Sequence, residues 1–325
     1  MHTIKSLQQL IEKEMLQLQL GNEPAALYEP MRYMLALGGK RMRPVLTLMG
    51  CQLFGGKIEQ SLPAALGLEV FHNFTLLHDD VMDNAPLRRA STTVHNKWNS
   101  NIAILSGDAM FVKSCQLMMQ VEDQKIRSVM KLFMHTALQV CEGQQWDMDF
   151  EKQNDVSIPR YLKMIELKTA VLLGCCLKVG AMTADAGEVD ATHIYEFGKN
   201  MGIAFQLQDD LLDVYGDSEK FGKLSGGDIL ADKKTFLLLK AQELASRTQH
   251  LVLKQWIHTA QKGKEQEKID AIKNLYDELD VQKHAETEMD FYYHTALEHL
   301  KAINIPLEQK SNLSEFAMQL MVRQV

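Results

Sequence analysis

The chain has 325 residues, 46% hydrophobic and 24% charged, with a formal net charge of −7. That is ordinary soluble composition with enough apolar material for a large core, and its acidic balance argues against nucleic-acid binding, which favours a basic surface. The five cysteines, Cys51, Cys115, Cys141, Cys175 and Cys176, are odd in number and form no CxxC pair, which argues against a disulfide framework or a structural zinc site and for free thiols in a reducing cytosol.

The N-terminal segment MHTIKSLQQLIEKEMLQLQL reads as an amphipathic helix with a stripe at Leu7, Leu10, Ile11 and Glu14. Lys5, Glu12, Lys13 and Glu14 interrupt it, so it is not a secretory signal. The longest apolar stretch, around Ala170 to Leu177, is far short of the roughly 20 residues that span a bilayer. A cytoplasmic protein without an integral membrane segment is expected. Five of the seven prolines, Pro24 to Pro86, lie in the first third, and the long proline-free stretches beyond suit long helices. Apolar residues recur at helical spacing, as in Leu162, Ile165, Thr169, Leu172 and Cys176, while strand signals are weak. Loops are expected at Gly38-Gly39, at Gly55-Gly56, around Asn84 to Thr93 and over Lys220 to Lys234. No low-complexity linker divides the chain. The expectation is a single all-α domain over residues 1–325, a helical bundle around a central cavity.

In chain order the first chemical signal is GGKRMRP, Gly38 to Pro44, which sets Lys40, Arg41 and Arg43 just after two glycines. Exposed backbone and forked guanidinium groups both suit a diphosphate. DDVMD follows, Asp79 to Asp83, after the helical run LEVFHNFTLLH. Residues four apart share a helix face, so Asp79 and Asp83 point the same way and repel unless a cation lies between them. Carboxylates without His or Cys select a hard cation such as magnesium, which keeps positions open for phosphate oxygens. His72 lies two helical turns before Asp79 on the same face. Arg88 and Arg89 follow in LRR, Lys168 and Thr169 stand in ELKTA, and a second pentad, DDLLD, runs from Asp209 to Asp213. Lys223 and Lys233 complete the basic set. A lone DDxxD is more often a solvated acidic face, and a lone lysine a surface charge. Two pentads with apolar flanks beside a full basic set are neither.

Together these segments resemble the trans-isoprenyl diphosphate synthase family of farnesyl, geranylgeranyl and longer polyprenyl diphosphate synthases, from Gly38 to Thr235. The resemblance implies several magnesium ions held by Asp79, Asp83, Asp209 and Asp213. It implies isopentenyl diphosphate contacts at Lys40, Arg43, His72 and Arg89, and allylic diphosphate contacts at Arg88, Lys168, Thr169, Lys223 and Lys233. Gln206 matches a site glutamine, and Gln144 and Asp147 match the family's GQxxD element. Asp79, Asp80, Asp83, Arg88, Lys168, Asp209 and Lys233 are the expected catalytic set, and a homodimer is implied. An aromatic at Phe74, with Phe71 and Thr75 nearby, resembles the floor of short-chain enzymes and implies a farnesyl or geranylgeranyl product. Two positions depart from the pattern: Ala90 and Asp232 stand where many relatives have glycine. A class I terpene cyclase has a different second motif and no isopentenyl diphosphate site. A silent regulatory subunit should have lost these residues, and a merely structural ion-binding bundle leaves the basic set without purpose. A longer-chain synthase is the remaining alternative.

Overall fold

Helix-forming sequence with few breakers gives the expected all-α architecture. The structure, a computed structural model, describes residues 2–216, 226–257 and 263–321. Ten helices run from the N-terminus to the second pentad: α1 (Ile4–Leu16), α2 (Ala25–Ala36), α3 (Met42–Leu53), α4 (Ile58–Met82), α5 (Val94–Lys97), α6 (Ser100–Met118), α7 (Asp123–Lys152), α8 (Ile158–Ile165), α9 (Val171–Thr183) and α10 (Glu188–Tyr215). Beyond it lie α11 (Gly227–Leu230), α12 (Phe236–Leu244), α13 (Arg247–Trp256), α14 (Glu265–Glu278), α15 (Val281–Ala302) and α16 (Leu307–Met321). The β-structure among the described residues is one small hairpin, β1 (Leu87–Arg88) and β2 (Ser91–Thr92). No described helix is long and apolar enough to cross a membrane.

By packing the chain divides into two compact units. The first holds Met1–His135, Cys175–Tyr195 and Ile303–Leu313; the second holds Thr136–Gly174, Glu196–Ala302 and Ser314–Val325. In the first, Thr3 caps α1 by accepting from the Ser6 amide at 3.2 Å, and the helix buries Leu7, Ile11 and Met15. α4 is apolar on most of its circumference and buries Ala64, Ala65, Leu68, Val70, Phe71 and Leu77, as befits a helix with neighbours on several sides. α3 and α6 pack against it. α3 and α9 approach so closely that a Cβ on Gly180 would lie 1.9 Å from the Thr47 carbonyl oxygen.

The second unit's core gathers Phe150, Tyr161, Ile203, Leu207, Leu211, Phe236, Leu239, Ile272 and Tyr276. Thr235 and Ser246 cap α12 and α13 through their hydroxyls. Between α8 and α9 the expected α-helical stripe is interrupted by one π turn, Glu166–Ala170. A π turn closes i→i+5 hydrogen bonds and so holds one residue more than an α turn.

Candidate active site

The first unit's site begins with backbone that only glycine adopts easily. Gly38 and Gly39 have φ of 75° and 135°, and Arg41 follows at 49° as the N-cap of α3. The Arg89 guanidinium occupies the space a Cβ on Gly39 would need, and its Nη1 donates to the Gly38 carbonyl. Among the three cations of GGKRMRP the roles separate. Lys40 is exposed. Arg41 is buried, donating to Glu69 Oε1 at 2.7 Å and to the Leu35 carbonyl at 2.7 Å, so it braces the loop from inside. Arg43 Nη1 donates to His72 Nε2 at 3.0 Å. A guanidinium can only donate, so Nε2 accepts and the His72 proton sits on Nδ1. Burial, reinforced by the charges of Arg43, Arg89, Arg88 and Arg41, holds His72 well below its usual pKa. His72 is therefore a neutral imidazole among arginines, with Nδ1–H left to donate to an anion.

DDVMD closes α4. Asp80 is buried at 2% exposure and accepts from Arg88 Nε at 2.9 Å and Nη2 at 2.5 Å. Asp79 is half-buried, and Asp83 is exposed at the C-cap. Asp80, expected among the catalytic carboxylates, thus faces inward and holds Arg88. Arg88 comes from β1, and the hairpin turn is Arg89-Ala90, with φ of 52° and 61°. Two-residue hairpins favour turns with both central φ values positive. This is the physical reason for glycine at the position of Ala90, and Asp232, at 53°, repeats it. An L-residue in this region costs about 1 kcal/mol. Ala90→Gly is expected to relieve that strain, offset in part by greater freedom of the unfolded chain. A net gain of roughly 0.5 kcal/mol, read as a higher urea midpoint, is the expected result; a lower midpoint would contradict it.

The second unit repeats the scheme. Asp209 and Asp213 are half-buried near the C-terminal end of α10, and Asp210 between them is buried. The Tyr161 hydroxyl donates to Asp210 Oδ2, as does the Phe236 amide at 3.2 Å. Asp213 Oδ2 accepts from the Asp228 amide at 2.9 Å. Lys168 is presented by the π turn and its ammonium lies 2.5 Å from Asp147 Oδ2. The turn passes α7 at Gly143, where a Cβ would lie 2.2 Å from the Lys168 nitrogen. Thr169 Oγ1 donates to Gln206 Oε1 at 3.4 Å. Lys233 Nζ is 3.8 Å from Asp228. Burial pulls its ammonium down, but the charges of Asp228, Asp210, Asp147 and Asp213 outweigh that and hold it above its usual value. Lys223 lies outside the described residues. Tyr161 and Asp228 escaped the sequence reading. The GDILADKK spacing, which puts Asp228 five residues before Lys233, was the available signal for the latter.

Burial, with the charge of Asp228 acting in the same direction, pushes the Asp210 carboxyl up to about 7, against hydrogen bonding by Tyr161 and the charge of Lys233. An unfolded aspartate titrates near about 3.9. Because the folded value is the higher one, the folded chain binds this proton more tightly. Its stability contribution is present below about pH 4 and is lost as the pH rises to about 7. Asp210→Asn, neutral throughout and still an acceptor for Tyr161, is expected to remove that slope and to melt higher than the wild type at pH near 8. Parallel Tm–pH curves for the two proteins would count against it.

The donor set fits a hard cation. Both pentads are all-oxygen and stand at helix C-termini, where the macrodipole is already negative and more carboxylates are unfavourable without positive charge. Among the described residues no group of three or more Asp, Glu, His or Cys side chains is gathered closely enough to hold a metal ion by itself.

A sequence model described as polyprenyl synthetase matches residues 24–278. The chain is 34% identical over 303 residues to a geranylgeranyl diphosphate synthase of Sulfolobus acidocaldarius, covering 90% of each. It is 39% identical over 222 residues to that of Methanosarcina mazei, covering 68% of each. It superposes with a TM-score of 0.95 on a solved geranylgeranyl pyrophosphate synthase, 44% identical over 100% of both chains. With the synthetase of Pyrococcus horikoshii the TM-score is 0.92, at 30% identity over 99% of this chain and 97% of the other.

Proposed function

The chain belongs to the polyprenyl synthetase family, and from that premise we propose that it joins isopentenyl diphosphate to an allylic diphosphate to make geranylgeranyl diphosphate. The observation that carries the reading is the matched pair of aspartate pentads. Each ends a helix, and each has its second carboxylate held by a protein partner, Arg88 or Tyr161.

Asp79, Asp83, Asp209 and Asp213 would hold magnesium, which would supply positive charge for the departing diphosphate. Arg88, Lys168, Lys223 and Lys233 bind the same diphosphate and stabilise the charge that develops on it. Thr169 and Gln206 orient it. Lys40, Arg43 and Arg89 hold the diphosphate of isopentenyl diphosphate, and neutral His72 donates to it from Nδ1. Holding both partners in place brings the double bond within reach of the allylic cation. The released diphosphate takes the final proton. The enzyme works in the cytoplasm as a homodimer, for which the exposed Ile104, Leu105 and Val112 of α6 offer an apolar face.

The names of the relatives favour a geranylgeranyl over a farnesyl product. Phe71 is fully buried against Phe133, with ring centroids 5.2 Å apart, and belongs to the core. Thr75 donates to the His72 carbonyl at 2.8 Å. Phe74 is half-buried beside Phe111 at 5.5 Å and His78 at 4.7 Å, about a turn and a half below Asp79, where a growing tail would meet it. Phe74→Ala is expected to lengthen the main product by at least one isoprene unit; an unchanged product by chromatography would remove Phe74 from the floor. The direct test is purified protein with magnesium, isopentenyl diphosphate and dimethylallyl, geranyl or farnesyl diphosphate. Geranylgeranyl diphosphate is the expected end product. Cyclised hydrocarbon, or no elongation, would overturn the reading.

A further inference from the structure

The described residues include three buried lysines, Lys234, Lys268 and Lys310. Two have partners. Lys268 bonds Asp232 Oδ1 at 2.6 Å and the Leu230 carbonyl at 3.3 Å, and Lys310 bonds the Ile303 carbonyl at 2.6 Å. Lys234 is 5% exposed, and among the described residues its ammonium has neither a hydrogen bond nor an ion pair. Asp232 is the acidic group whose charge it feels, and that carboxylate is bound to Lys268. The Lys234 stem is buried while its ammonium is not among the enclosed unpartnered atoms, so the head reaches solvent and favours negative charge where it emerges.

It emerges into a cleft of about 700 Å³ in the second unit. One wall is the α13 face at i, i+3 and i+4, His250, Leu253 and Lys254, continued by Ile257 at the helix C-cap. Asn154, after α7, and Gln242, on α12, bring side-chain amides. Among the described residues no carboxylate lines it. Lysine, lysine and histidine answer an anion, the amides supply further donors, and Leu253 and Ile257 offer an apolar strip. The volume lies in the range of small-molecule sites and exceeds what a bare phosphate fills. The neighbouring Lys233 directs its ammonium to Asp228 instead, so consecutive lysines serve two different places.

We propose that this cleft is a binding site for an organic phosphate ester, its phosphate on Lys234 and Lys254 and its carbon chain against Leu253 and Ile257. The site shares no residue with the prenyl-transfer set and does not rest on that reading. The test is hydrogen–deuterium exchange of the full chain titrated with octyl phosphate, with inorganic phosphate as the parallel arm. Octyl phosphate is expected to slow exchange across α13. Its apparent Kd should rise at least about tenfold in Lys234→Met, which keeps the apolar stem, and in Lys254→Glu, an exposed change that leaves fold and basal turnover intact. Absence of slowing in the wild type would overturn the proposal, as would wild-type Kd values in both variants. Equal slowing by inorganic phosphate would overturn the assignment to an ester. The exchange readout needs no turnover, so it stands or falls separately from the synthase assay.

Discussion

Asp79→Ala is expected to lower kcat by about 10² to 10³ while Tm stays within a degree or two of wild type, and Asp80→Ala to do the reverse in stability. A group that stabilises developing charge in a closed site is worth roughly 3–4 kcal/mol of barrier. Asp79 stands in the last turn of α4, where the helix dipole and Asp83 both disfavour its charge, so its loss relieves repulsion there. Asp80 is buried and holds a two-pronged bond from Arg88. Its removal leaves a partly buried guanidinium unpaired, at a cost of about 2–4 kcal/mol. The same contrast holds in the second unit, where Asp209→Ala is expected to fold normally and lose turnover. Steady-state kinetics beside thermal melts on the three variants check this. Wild-type kcat for Asp79→Ala or Asp209→Ala removes the metal-site assignment, and an unchanged Tm for Asp80→Ala removes the structural role given to the middle carboxylate.

The second large effect is expected at Gly143, which bears no chemistry of its own. Gly143→Ala places a methyl 2.2 Å from the Lys168 nitrogen and 2.6 Å from its Cα. Both are backbone atoms, so no rotamer change relieves the clash. Overpacking of this kind costs about 3 kcal/mol, a Tm loss of several degrees. Because the displaced residue is Lys168, turnover should fall as well. Lys168→Met is the matched comparison: it removes the ammonium from Asp147 without moving backbone, and is expected to reduce kcat by about 10² at nearly constant Tm. If Gly143→Ala melts like the wild type, the close approach of α7 to the π turn is not as described.

Much of this was legible in the residues. The helical setting of both pentads follows from their apolar flanks, and the shared face of Asp79 and Asp83 from four-residue spacing. Spacing does not say which carboxylate is satisfied by the protein. That is decided by Arg88 eight residues on and Tyr161 forty-nine residues back. GGKRMRP announced three cations, but only packing against Glu69 separates the brace, Arg41, from Lys40 and Arg43. The Arg89-Ala90 turn carries no Asn-Gly signal, so the hairpin read only as loop. The interruption of the ELKTA helix had no local cause at all; the close approach of Gly143 lies twenty-five residues away along the chain.

That interruption constrains how the gene can change. A turn of five residues where its neighbours hold 3.6 behaves like a single inserted amino acid that the helix has absorbed. Deleting any one residue from Glu166 to Ala170 would heal the spiral and leave the flanking helices in phase, but it would shift the residues of the turn itself, Lys168 among them, around the helix axis. Lys168 and Asp147 would then miss each other even though both side chains survived. Length in this stretch is therefore as much a part of the enzyme as identity, and single-codon deletions across it should prove less forgiving than most substitutions there.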